Sequence, residues 1–213
     1  METPETIKLL GGRLCLHFAN TVDRSETGEP LPATDALTEP DALERWARRL
    51  RVDEPGAEPR PRAERGAAAS PPAVTSPPAA FPPELAAARE LRASLYLVFA
   101  ALAADRTPPP QALEALHAVH AEGVAAAHLA AHPGGAYALA WPPDDPRRVR
   151  YAVAADAVAL LGDAALLERL HQCPGRDCGW FFLNTSGRQR WCSMATCGSR
   201  AKMRRMYARR RAA

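Results

Sequence analysis

A chain of 213 residues is long enough for one substantial domain and a small one, and its 47% hydrophobic content is ordinary for a globular protein. No run of 18 apolar residues is present and the N-terminus "METPETIKLLGGRL" lacks the apolar core of a secretory signal, so no membrane span and a reducing cytoplasm are expected. The net charge of +3 hides an asymmetry: residues 171–213 hold ten Lys/Arg and one acid, Asp177, while the other 170 residues hold 17 basic and 23 acidic groups.

In chain order, "KLLGGRLCLHFANTVD" (8–23) alternates after a Gly-Gly pair. Leu14, Leu16 and Phe18 face one way and Cys15 and His17 the other, which predicts a strand. Cys15 reads as a small buried residue. His17, Asn20 and Asp23 form the one polar cluster near that strand, read either as turn caps or as a small-ligand pocket. Residues 38–51 predict a helix with Thr38 as N-cap, Pro40 in the first turn, and Leu43, Trp46, Ala47 and Leu50 on one stripe. Residues 53–83 are Pro-rich and predict a disordered insertion.

The strongest helix signal covers 84–104, with Leu85, Ala88, Leu91, Leu95, Val98 and Leu102 at 3–4 spacing. A second helix is expected over 110–131; its His117 and His120 lack a third metal ligand and read as surface groups. "GGAYALAW" predicts a strand, and 146–161 and 163–171 two helices split at Gly162-Asp163.

The C-terminal stretch carries four of the five cysteines as Cys173-x4-Cys178-x13-Cys192-x4-Cys197. Two such pairs in a short segment are the sequence form of a tetrahedral structural zinc site. Disulfides are disfavoured by compartment and a redox dithiol by spacing. An iron–sulfur cluster remains the alternative, with donor type and spacing favouring zinc. Trp180–Leu183 and Arg188–Trp191 predict a hairpin around Asn184–Gly187, and a helix is expected from about Ala195. On that helix Met203, Met206 and Tyr207 share an arc suited to docking on the zinc module. The remaining faces are cationic. Arg188, Arg190, Arg200, Lys202, Arg204 and Arg205 are the candidate nucleic-acid contacts, since Arg binds phosphate and pairs with guanine.

The pattern "CxxxxCGWFFLxTS…RxRWCSMxTCGSRxKxRR", with Cys173, Cys178, Cys192 and Cys197 in place, resembles the CGNR zinc finger. The upstream "GGRLCLHFANTVD" and the Trp46 region look like the start of the ABATE domain found with that finger in stress-induced transcription regulators. Ser199 replaces the motif's Asn, His17 stands where Asp is expected, and the turn around Gly187 is shorter than the family form. The resemblance implies a mainly α fold with small β elements. It divides the chain into an ABATE-like helical domain, 1–165, and a treble-clef-like finger, 166–213, with one structural zinc ion. The sequence carries no Gly-rich phosphate loop, nucleophile elbow or paired acid/base set, so no enzymatic activity is expected. The resemblance implies a bacterial transcription regulator, and the cationic residues 171–213 on a metal-stapled scaffold point to double-stranded DNA as its partner. Binding to RNA or the ribosome is the alternative. A homodimer and a small-molecule effector of the N-terminal part are compatible with it.

Overall fold

The computed structural model describes residues 3–52, 82–131 and 135–211. Most of the Pro-rich stretch, and the disorder expected of it, lies outside the described residues. The elements run α1 (Leu14–Ala19), α2 (Ala42–Arg49), α3 (Pro82–Leu102), α4 (Pro110–Ala126), β1 (His128–Ala131), β2 (Tyr137–Ala140), α5 (Arg148–Leu161), α6 (Ala164–Leu167), β3 (Leu170–Gln172), β4 (Phe181–Leu183) and α7 (Ser199–Arg211). The fold is mainly α with two small antiparallel sheets, β1–β2 and β3–β4.

Helix α3 buries the predicted stripe: Leu85, Ala88, Leu91, Leu95 and Val98 are inside and Leu102 is half-buried. Helix α4 packs on α3 and α5, and α1 crosses both α3 and α5. The α2 stripe is buried as expected, but the helix begins at Ala42 and Thr38 lies outside it. Helix α4 stops at Ala126, because His128–Ala131 leaves to pair with Tyr137–Ala140. The helix expected over 163–171 is one short turn, capped by Asp163, whose carboxylate accepts from Leu166 N–H at 3.0 Å. Leu170–Gln172 is a strand instead.

Residues 14–19 form a helix where alternation predicted a strand. Cys15 through Ala19 are all buried, so neither face meets water and the alternation carries no information about which face is inside. Gly11 and Gly12 make the entry turn. A Cβ on Gly11 would stand 2.7 Å from Leu16 Cβ, and Gly12 has φ +85°. The first turn is capped from a distance: Asp156 on α5 accepts Cys15 N–H at 2.9 Å and pairs with Arg13 at 2.6 Å.

Strand β4 pairs with β3, not with Arg188–Trp191, which form no strand. Its second edge is already occupied. Asn20 accepts Phe181 N–H and donates to Phe181 C=O, both at 2.8 Å, and Leu183 N–H donates to Gly11 C=O at 3.2 Å. No backbone group of β4 is left for a returning strand. Phe181 is fully buried and meets the rings of Tyr96 and Phe99, at 5.5 and 5.7 Å between centroids. One apolar core therefore runs from Trp46 and Phe99 through Phe181 and Phe182 to the four clustered cysteines.

Candidate metal centre and cationic helix

The first cysteine pair sits in the loop joining β3 to β4. Cys173 N–H donates to Trp180 C=O at 2.7 Å and closes this loop. Two residues turn it with positive φ, Asp177 at +52° and Gly179 at +67°. Gly175 has a steric role: a Cβ there would lie 2.9 Å from Cys197 Sγ and 3.3 Å from Cys173 Sγ. Arg24 N–H donates to Cys178 C=O at 3.0 Å and ties the loop to the helical part. The second pair is carried by Cys192 and by a π-helical turn, Met194–Gly198, that runs directly into α7. Cys197 thus fixes the base of the last helix.

All four cysteines are buried, and their Sγ atoms lie within 4.8 Å of one another. The Cys178–Cys192 and Cys192–Cys197 separations are 3.7 and 3.6 Å. A tetrahedral ion with metal–sulfur bonds of about 2.3 Å requires sulfur–sulfur edges of about 3.8 Å. The geometry and the all-thiolate donor set therefore fit one structural zinc ion. Hydrogen bonds from the Cys178 and Cys192 thiols, joined by backbone N–H groups of Gly175 and Cys192, hold the Cys173 thiol far below its usual range. The same crowding pushes Cys178 and Cys192 up. Four thiolates within 4.8 Å of one another repel, so ionisation of the whole set needs a cation among the sulfurs, and four thiolates on a divalent ion leave a net charge of −2. The Arg200 guanidinium faces that charge, with Nη2 3.3 Å from Cys197 Sγ, and its own pKa is raised by this contact.

Two profiles match the chain in order. The ABATE family, described as "Putative stress-induced transcription regulator", matches residues 12–164, and the CGNR zinc finger matches residues 169–210. The chain belongs to the ABATE family. No curated protein matches it. Within this ABATE protein, the CGNR position Ser199 does not cap α7 with its side chain. Its hydroxyl donates back to Met194 C=O at 3.0 Å, across the π turn.

Arg188, Arg190, Lys202, Arg204 and Arg205 are exposed and make no ion pair among the described residues. Arg200 is exposed on the same helix but is already engaged by Cys197. The expected docking arc of α7 is corrected by the structure. Ala201 is the helix's buried residue, whereas Met203, Met206 and Tyr207 are 44%, 37% and 55% exposed. The side chain of α7 that is buried is thus a small one, while Met203 and Tyr207 line an open groove beside the metal centre.

Of the polar cluster near α1, His17 and Asn20 are structural. His17 is buried, accepts Gly11 N–H on Nδ1 at 3.2 Å, and is held down to about 4, chiefly by burial. Asn20 is the residue that sequence reasoning undervalued. Its partner lies 161 positions away, and no local pattern announces it. Asp23 lines an open groove of about 840 Å³ beside the metal centre, with Lys8, Trp180, Arg200, Arg204 and Tyr207.

Proposed function

We propose that this ABATE protein is a transcription regulator that binds duplex DNA through α7 and the segment before it. The observation carrying this reading is a set of exposed cations with no ion pair among the described residues: Lys202, Arg204 and Arg205 on a helix whose base is pinned at Cys197, with Arg188 and Arg190 in the segment before it. A helix held at one end presents its guanidinium groups in fixed positions, which suits phosphates and guanine edges. The reading includes no catalytic role. The four C-terminal thiols fit metal ligands, and the Cys15 thiol is sealed in the core and pushed far up by burial.

The test is fluorescence anisotropy of the zinc-loaded full chain on a mixed-sequence duplex and an RNA hairpin, across a salt series. Five engaged phosphates predict a log–log salt slope of about −4.5. Arg204→Ala with Arg205→Ala lowers its magnitude by about two. Tighter binding to the hairpin than to the duplex transfers the function to RNA. No binding to either at low salt overturns the nucleic-acid reading.

A further inference from the structure

Helix α7 carries apolar groups that phosphate binding does not use. At about 100° per residue, Met203, Met206 and Tyr207 lie roughly 120–160° around the helix from Ala201, its buried residue. They stand half-exposed among cations, although burial would be favourable for each. Met203 and Tyr207 line the groove beside the metal centre, together with Trp180, Arg200 and Arg204 from the finger and Lys8 from the N-terminal part.

Three properties define the occupant. The groove's about 840 Å³ is the size of a small-molecule site, far too small for a double helix. Arg200 faces the charge of the thiolates, three of which also line the groove, and Lys8 and Arg204 are the lining cations left to meet an anion. The cations also continue past the groove along α7, through Arg205, Arg209, Arg210 and Arg211, which matches an extended polyanion better than a lone small anion. A tyrosine and a methionine in a cationic groove are the elements that hold an unstacked base, the ring by stacking and the thioether by adaptable contact. Paired bases hide their faces inside the duplex.

We propose that the groove between α7 and the 3-10 turn Pro32–Thr34, whose Ala33 and Thr34 line it, receives an unpaired nucleotide of the nucleic acid held by the finger, with its base against Tyr207 and Met203 and its phosphate between Arg204 and Lys8. This rests on the DNA-binding reading and adds a preference for distorted or locally single-stranded sites.

The experiment uses the zinc-loaded full chain and two labelled duplexes, one perfect and one identical except for a single bulged thymidine. The expected result is at least fivefold tighter binding of the bulged duplex. Tyr207→Ala brings the ratio of the two affinities to one, and Tyr207→Phe, which keeps the ring, restores it. Zinc content and circular dichroism verify that each variant is folded. Equal affinity of the wild-type chain for both duplexes overturns this inference and leaves duplex binding standing. A ratio that persists in Tyr207→Ala also overturns it. Binding to neither duplex overturns both readings.

Discussion

Asn20→Ala tests whether the zinc finger and the helical part stand or fall together. The Asn20 side chain makes two 2.8 Å hydrogen bonds to one residue, Phe181, whose ring is fully buried. Truncation leaves a backbone N–H and a C=O without partners in the core. Each such group costs about 1–3 kcal/mol, so the expected loss is about 2–6 kcal/mol. Against a typical domain stability of about 5–15 kcal/mol, that is a large fraction. For a chain of this size a loss of about 4 kcal/mol lowers Tm by roughly 8–16 °C. The assay is urea unfolding followed by circular dichroism, paired with zinc release to a chromophoric chelator. The variant should unfold at lower urea with an unchanged slope, and it should surrender zinc at lower chelator concentration, because β4 leads out of the loop holding Cys173 and Cys178. A shift under about 1 kcal/mol would refute the argument. So would a destabilised variant that retains zinc as the wild type does, since Asn20 would then act on the helices alone.

Two further outcomes follow from local geometry. Gly175→Ala places a Cβ 2.9 Å from Cys197 Sγ, so the sulfur must move; zinc competition by chelator should show weaker retention while the duplex salt slope of the loaded fraction is preserved. His17 gives a pH signature. Its pKa is lowered from 6.5 to about 4 in the fold, so the unfolded chain binds the proton first as pH falls. Its contribution is fully present above pH 6.5, declines below that, and is lost once pH has passed through about 4, a loss of about 3 kcal/mol. His17→Gln removes this titration. Urea midpoints between pH 7 and pH 5 should therefore fall more steeply for the wild type than for the variant, and parallel curves would refute the assignment.

What the sequence reveals here depends on how local the cause is. Zinc demands particular side chains at short spacings, so Cys173, Cys178, Cys192 and Cys197 are legible without any knowledge of the fold. Helix α3 is legible because its stripe repeats over many turns. Helix α1 is too short for its period to be read, and a segment buried on every side has no amphipathic pattern to offer. Arg188–Trp191 looks like the second arm of a hairpin because local pattern cannot show that the outer edge of β4 is taken by Gly11 and Asn20. For α7 the error has a different origin. Apolar residues on one arc suggest the docked face, but the buried side chain of the helix is a small one, Ala201.

The same arrangement explains how a cationic finger of few apolar residues keeps a fixed shape. Its aromatic residues Trp180, Phe181 and Phe182 are spent inward, in one core with Tyr96, Phe99 and the four thiols. Zinc binding energy, which in small modules is folding energy, therefore also holds Phe181 against Tyr96 and Phe99 of α3. Arg24 reinforces the junction from the helical side: its guanidinium lies 4.0 Å from the centroid of the Tyr96 ring, and its backbone N–H holds Cys178 C=O. Two otherwise separate sources of stability, an apolar core and a metal, meet at β4. Because neither draws on the outer faces of α7, those faces are free to carry charge and half-exposed apolar groups. Substitution there can change the charge and apolar surface of the helix without disturbing what holds it.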